Sequence, residues 1–144
     1  MPKKKFDAGR KIVVVSGTRK SSVASASIQE GTGRVLINKK PIEVFSTFQR
    51  LALSEPIVIA EEVLKEKLKQ LDIEVNVRGG GVESQTEAAR LAIARALVAF
   101  NKSSELRNAF LKYDRMLLVA DTRRKEQRKP NDSKARAARQ KSYR

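Results

Sequence analysis

Residues 72–78, Asp-Ile-Glu-Val-Asn-Val-Arg, alternate without a break: Ile73, Val75 and Val77 fall on one face of an extended chain, and Asp72, Glu74, Asn76 and Arg78 on the other. Successive strand side chains point to opposite sides, so this period of two specifies a strand with one dry and one wet face. Gly79-Gly80-Gly81 ends it, and the period then changes. Ala89, Ile93, Ala96, Leu97 and Phe100 line one stripe of a helix, with Ser84 and Glu87 at capping-box spacing before it. Neither a half-wet strand nor an amphipathic helix can bury its apolar side alone, so the helix packs on a sheet.

The remaining body supplies the other layers. Lys11 to Ser16 is a β-branched run and Val23 to Ile28 a second strand; the glycine-bearing loop Gln29 to Gly33 has hairpin length, making Arg34 to Asn38 the expected partner of Val23 to Ile28. Lys39-Lys40-Pro41 ends that strand. Val44 to Leu53 and Pro56 to about Leu68 read as two helical segments, the break coming at Pro56. Ser103 to about Leu111 reads as a further short helix, with Tyr113 to Val119 leading out of the body. Interleaved strands and helices with a hairpin predict an α+β domain with a mixed sheet.

Charge divides the chain differently. Residues 1–20 carry seven basic residues and one acid, residues 121–144 ten and three, and the middle hundred 14 and 12, so the ends hold +6 and +7 of the total +15. After Val119 there is no Leu, Ile, Val, Phe, Met or Trp, which leaves too little apolar surface for residues 121–144 to fold alone. Three regions follow: a basic N-terminal extension over 1–10, a globular body over 11–120 and an extended basic tail over 121–144. A polyanion is the natural partner for such ends, because each phosphate neutralised by a cation releases counterions.

Other chemistries find little footing. The chain has no cysteine and no histidine, which removes thiolate metal sites, disulfides and the commonest general base. Glu61-Glu62 lies in a helical segment of alternating charge, and Asp72 and Glu74 share the wet face of a strand; solvated faces explain both pairs. The glycine run fails as a dinucleotide fingerprint because Ser84 stands where G-x-G-x-x-G wants glycine, leaving a tight turn or one that also approaches RNA phosphate. Gly17-Thr18-Arg19-Lys20-Ser21-Ser22 lacks the upstream glycine of a phosphate loop, so Arg19 and Lys20 read as a cationic loop for backbone contact. Aromatic residues are too few for a base-stacking face, which favours recognition of RNA shape and phosphate. No apolar h-region follows Met1-Pro2-Lys3-Lys4-Lys5 and no stretch reaches membrane-span length, so a cytoplasmic location and no membrane partner are expected.

Several short motifs in one order make a more specific pattern: Gly17-x-Arg19-Lys20; Gly33-Arg34-Val35-x-Ile37-Asn38 with Pro41-x-Glu43; Gly79-Gly80-Gly81 with Ala88-Ala89-Arg90 and Ala94-Arg95-Ala96-Leu97; Asp121-x-Arg123; and Lys134-Ala135-Arg136. From about Lys11 to Arg144 the chain resembles the family of small-subunit ribosomal protein nine, and its closing Gln140-Lys141-Ser142-Tyr143-Arg144 resembles the archaeal and eukaryotic branch. Glu83-Ser84 and Asn131-Asp132 depart from the glycine-containing steps usual there. The resemblance implies a four-stranded mixed sheet with helices packed on one side, like the second domain of ribosomal protein five, with an unusual left-handed crossover. It also implies a structural, non-enzymatic role in translation: binding to the 3′ (head) domain of small-subunit rRNA, with the tail tip approaching the anticodon stem of P-site tRNA.

The candidate rRNA-binding residues are therefore Arg10, Lys11, Arg19, Lys20, Arg78 and Gly80, and in the tail Arg123, Arg124, Lys125, Arg128, Lys129, Lys134, Arg136 and Arg139. Lys141, Tyr143 and Arg144 are the residues that the resemblance directs to tRNA. Expected partners are small-subunit rRNA, P-site tRNA and neighbouring head proteins, with no cofactor, no metal and no obligate homo-oligomer. A free-standing RNA chaperone would share the charge but would bind DNA and RNA alike.

Overall fold

The computed structural model describes residues 11–131, 134–137 and Ser142. Its strands are β1 (Val13–Arg19), β2 (Ser22–Glu30), β3 (Val35–Ile37), β4 (Lys40–Pro41) and β5 (Leu71–Arg78), and its helices α1 (Thr47–Leu64), α2 (Val82–Asn101) and α3 (Ser104–Tyr113). The sheet runs β1-β2-β5-β3-β4; β3 and β5 are parallel and every other neighbouring pair is antiparallel. The expected four strands are present, and the two-residue β4 adds a fifth at the edge beside β3.

The pairing of the strands and the extent of one helix differ from the sequence reading. β2 forms its hairpin with β1, through Lys20-Ser21, and does not pair with β3, because β5 lies between them. The loop after β2 shows why. The Asp72 carboxylate accepts the amides of Thr32 at 2.8 Å and Arg34 at 3.0 Å, and Gly31 donates to the Gln70 carbonyl at 2.7 Å. The start of β5 thus holds the loop and passes the chain across to its own far side, where Ile37 aligns with Val75.

The second difference is α1, a single helix with Pro56 inside it. Proline forfeits one amide hydrogen bond there and crowds the carbonyl four residues back. Burial offsets that cost: Leu53, Pro56 and Ala60 make the inward stripe of the helix. The amide of Ser46 starts the helix by donating to Gln49 Oε1 at 3.2 Å. The segment Lys65–Gln70, read as helix as far as Leu68, is a 3-10 turn.

The alternation seen in residues 72–78 governs the whole sheet. Ala24, Ala26, Ile28, Ile37, Ile73 and Val75 are buried on one face under α2, whose Ala88, Ala92 and Ala96 are completely covered. Ser16, Ser25 and Asn76 remain exposed on the opposite face, along with Val14. Small side chains on both partners bring helix and sheet close together, and Gly17 marks the closest approach. A Cβ there would stand 2.5 Å from the Ala88 carbonyl oxygen and 2.7 Å from the Ala92 amide nitrogen. Beyond α2, Leu53 of α1, Leu106 and Phe110 of α3, and Leu117 complete one continuous core. Burying such side chains contributes roughly 1.5–3 kcal/mol each.

Candidate nucleic-acid interface

The strand register brings separate segments to one end of the sheet. Arg19, last residue of β1, pairs with Ser22, first of β2; Val23 pairs with Arg78, last of β5; and Ile37, last of β3, aligns with Val75. The β1–β2 turn with Lys20, the β3–β4 turn with Lys39, Arg78 and the glycine run that starts α2 therefore share this end. Lys20, Lys39 and Arg78 are all exposed.

The glycine run is a packed turn. Gly79 and Gly80 have φ of +76° and +65°, and a Cβ on Gly80 would meet Ser22 Oγ at 2.1 Å. The fully buried Ser22 hydroxyl lies 2.9 Å from both the Gly79 carbonyl oxygen and Ser84 Oγ. Helix α2 begins earlier than the capping-box spacing implied: Gly81 is its cap, and Ser84, in the first turn, accepts the Gly81 amide at 3.0 Å. Glu87 is thereby left to pair with Arg19.

Three arginines then fix where the C-terminal segment leaves the body. Arg90 pairs with Glu55 of α1 and, at 3.0 Å, with Asp114. Arg95 donates from Nε to the Leu118 carbonyl at 2.8 Å and from Nη1 to the Ser16 carbonyl at 2.9 Å, tying the segment to β1. Arg19 joins Glu87 to Asp121. Asp121 is almost covered, its side chain 4% exposed, and it also binds Arg123 at 2.6 Å. Arg123 first, and then Arg19, hold the Asp121 carboxyl well below the usual carboxylate range. The Tyr113 phenol is pushed up, chiefly by its hydrogen bond to Glu55. Arg19, Glu87, Arg90, Asp114, Asp121 and Arg123 line a cleft of about 260 Å³ whose charges already satisfy one another.

Past this root the chain changes character. Residues 122–131 are exposed throughout, and they hold five cations, Arg123, Arg124, Lys125, Arg128 and Lys129, against one carboxylate, Glu126. Among the described residues, Arg124, Lys125, Arg128, Lys129 and Lys134 have no ion-pair partner, whereas Arg136 binds Glu126 at 2.6 Å with its side chain 86% exposed. Arg136 draws the Glu126 carboxyl down.

The sequence-derived candidates thus sort by place. Lys20, Arg78 and Gly80 meet at one end of the sheet, and the tail cations from Arg123 onward leave from beside Arg19 at that same end. Arg19 itself has its guanidinium between two carboxylates. Lys11 is elsewhere: its ammonium donates to the Phe100 carbonyl at 2.7 Å and lies 4.5 Å from the Phe100 ring centroid, at the opposite end of α2. Arg10, Arg139, Lys141, Tyr143 and Arg144, and with them the 1–10 extension, lie outside the described residues. Sequence reasoning noted Arg90 and Arg95 only as parts of a motif. Their trace was their position, flanking the apolar stripe of an Ala-rich helix. Lys39 was read only as the end of a strand.

With this geometry in place, the chain can be set beside known proteins. A family model described as ribosomal protein S9/S16 matches residues 17–144. The small ribosomal subunit protein uS9 of Methanococcus vannielii is 44% identical over 137 residues, an alignment covering 93% of this chain and 99% of that relative. The proteins of the same name from Methanococcus maripaludis strains C5 and C7 are each 43% identical over 137 residues, with the same coverage.

Proposed function

Because the chain belongs to the ribosomal protein S9/S16 family, in its archaeal form, and is a structural constituent of the small ribosomal subunit and not an enzyme, we propose how it makes its contacts there. The body docks on the head (3′) domain of small-subunit rRNA with the sheet end that carries Lys20, Arg78 and Gly80. The tail from Asp121 then runs along RNA, its cations neutralising phosphates, and Lys141, Tyr143 and Arg144 reach the anticodon stem of P-site tRNA. Neighbouring head proteins complete its surroundings, without a homo-oligomer.

The observation that carries this reading is the contrast at Asp121. Every charge before it in the cleft is paired within the protein, while in the exposed stretch 122–131 Arg124, Lys125, Arg128 and Lys129 have no ion-pair partner among the described residues. Fixing the root reduces the entropy lost when the tail is laid down. An extended chain covers about 3.3 Å per residue, so the tail spans tens of ångströms. The Arg144 guanidinium at its tip can bridge phosphate oxygens in fixed geometry.

The test is reconstitution of small subunits with shortened chains. Ending the chain at Val119 flattens the salt dependence of rRNA binding, because each lost phosphate contact removes about 0.7–0.9 from the log–log slope. Removing 141–144 leaves assembly intact and weakens retention of P-site tRNA. An unaltered slope in the first case, or unchanged tRNA affinity in the second, refutes the corresponding part of the reading.

A further inference from the structure

Four lysines among the described residues have positive φ, Lys20, Lys39, Lys65 and Lys102; Lys65 and Lys102 follow the ends of α1 and α2, whereas Lys20 and Lys39 stand at hairpin tips where turn geometry asks for glycine. Arg19 pairs with Ser22, so Lys20-Ser21 is a two-residue hairpin loop; φ is +53° at Lys20, and Ser21 is not among the residues of positive φ. That is the φ pattern of a type II′ turn, whose first central residue is by preference glycine. Ile37 pairs with Lys40, so Asn38-Lys39 is a second such loop, with φ of +49° and +66°. Both central residues positive is the type I′ pattern, for which Asn-Gly is the preferred pair. Asparagine is in place and lysine replaces the glycine.

The chain uses glycine elsewhere at positive φ, where a side chain has no room: a Cβ would meet the Lys69 carbonyl oxygen at 2.8 Å from Gly33 and the Ser21 carbonyl oxygen at 2.5 Å from Gly79. At the two hairpin tips a side chain fits, but the left-handed conformation costs about 1–2 kcal/mol for a residue with a Cβ. Strain kept where a simpler residue would relieve it points to a use for the side chain. Both tips are exposed, both carry the same charge, and both lie at the sheet end that also presents Arg78.

We infer that Lys20 and Lys39 are a paired phosphate-binding device, each tip taking its own phosphodiester of an RNA backbone laid across the C-terminal end of β5. In the order β1-β2-β5-β3-β4 the two tips lie three inter-strand steps apart, roughly 14 Å at about 4.8 Å per step. One phosphate cannot serve both. Hairpin tips held by the sheet offer their ammonium groups with less backbone entropy to lose than the tail does. Lys102 provides an internal comparison: it too has positive φ, +51°, but it ends α2 at the other end of the sheet, where the helix dipole already favours a cation.

This inference rests on the rRNA-binding reading above. The test uses the full chain and a transcript of the head domain of small-subunit rRNA, comparing wild type with Lys20→Gly, Lys39→Gly, their combination and Lys102→Gly. Each tip substitution raises the melting temperature of the free protein by about 1–4 °C, since relief of the left-handed strain exceeds glycine's extra unfolded-state entropy. Each also weakens rRNA binding about five- to ten-fold near 0.1 M salt and lowers the salt slope by about one, the double variant by about two. Lys102→Gly leaves binding unchanged. The inference is overturned if the tip variants bind as wild type does, if they melt lower than wild type, or if Lys102→Gly costs as much affinity as they do. If wild type itself fails to bind the transcript, the rRNA reading falls as well, which separates the two failures.

Discussion

Gly17→Ala adds one methyl group at the tightest contact between sheet and helix. The new Cβ would lie 2.5 Å from the Ala88 carbonyl oxygen, 2.7 Å from the Ala92 nitrogen and 3.1 Å from the Ala92 Cα. All three are backbone atoms of α2, so no side chain can rotate away; helix and strand must separate by several tenths of an ångström. Overpacking of this kind costs about 1–3 kcal/mol where neighbours can adjust, and the rigid helix backbone puts this site at the upper end. Gly17 has no positive φ, so alanine adds no dihedral strain, and stiffening the unfolded chain returns about 0.4–1 kcal/mol. The net loss is about 2–3 kcal/mol. At roughly 2–4 °C per kcal/mol for a chain of this size, the melting temperature falls by about 5–10 °C. Thermal unfolding of the full chain, followed by far-ultraviolet circular dichroism, reads this directly. The separation should also loosen the tail root, because Arg95 spans from α2 to Ser16 and Arg19 lies two residues beyond Gly17. A variant melting within about 2 °C of wild type would refute the argument that backbone contact at Gly17 sets the helix–sheet distance.

Two further outcomes follow from polar contacts. Burial pushes the Asp72 carboxyl up, but the Arg34 and Thr32 amides outweigh it and leave it below its ordinary value. Since the native carboxyl gives up its proton more readily than the unfolded one, its contribution is full above about pH 4 and is lost as pH falls through the lower native value. The stability gap between wild type and Asp72→Asn, measured by denaturant titration, should therefore be wide at pH 7 and narrow below about pH 4; a constant gap would count against this. Arg95→Lys keeps the charge but replaces a fork that reaches two carbonyls with a single ammonium. It should cost about 1–2 kcal/mol and speed limited proteolysis within 118–131, and an unchanged cleavage rate would show that Arg95 does not hold the segment.

Much of this molecule was legible from local pattern. The strand 72–78 and the stripe of α2 announced themselves because burial on one side selects apolar residues at the period of the element, 2.0 or about 3.6. The break in composition after Val119 marked the tail because a stretch without large apolar side chains cannot bury enough surface to fold. Those two signals, with the order of short motifs, were enough for an α+β body and the family.

Partner choice was not legible. That β2 pairs with β1 and β5, and that β3 joins the far side of β5, depends on Asp72 capturing the amides of a loop some forty residues earlier in the chain. Pro56 signalled a break that the buried stripe of α1 overrode. Which cations face outward was likewise decided in three dimensions. Arg19 and Lys20 are adjacent, yet one is held by Glu87 and Asp121 and the other stands on a strained hairpin tip. Sequence determined which residues carry charge and which segments can fold, since those are properties of the residues themselves and of their nearest spacing. Tertiary structure alone decided which charges are neutralised within the protein and which are left exposed, because an ion pair depends on distances between residues that the chain keeps far apart until it folds.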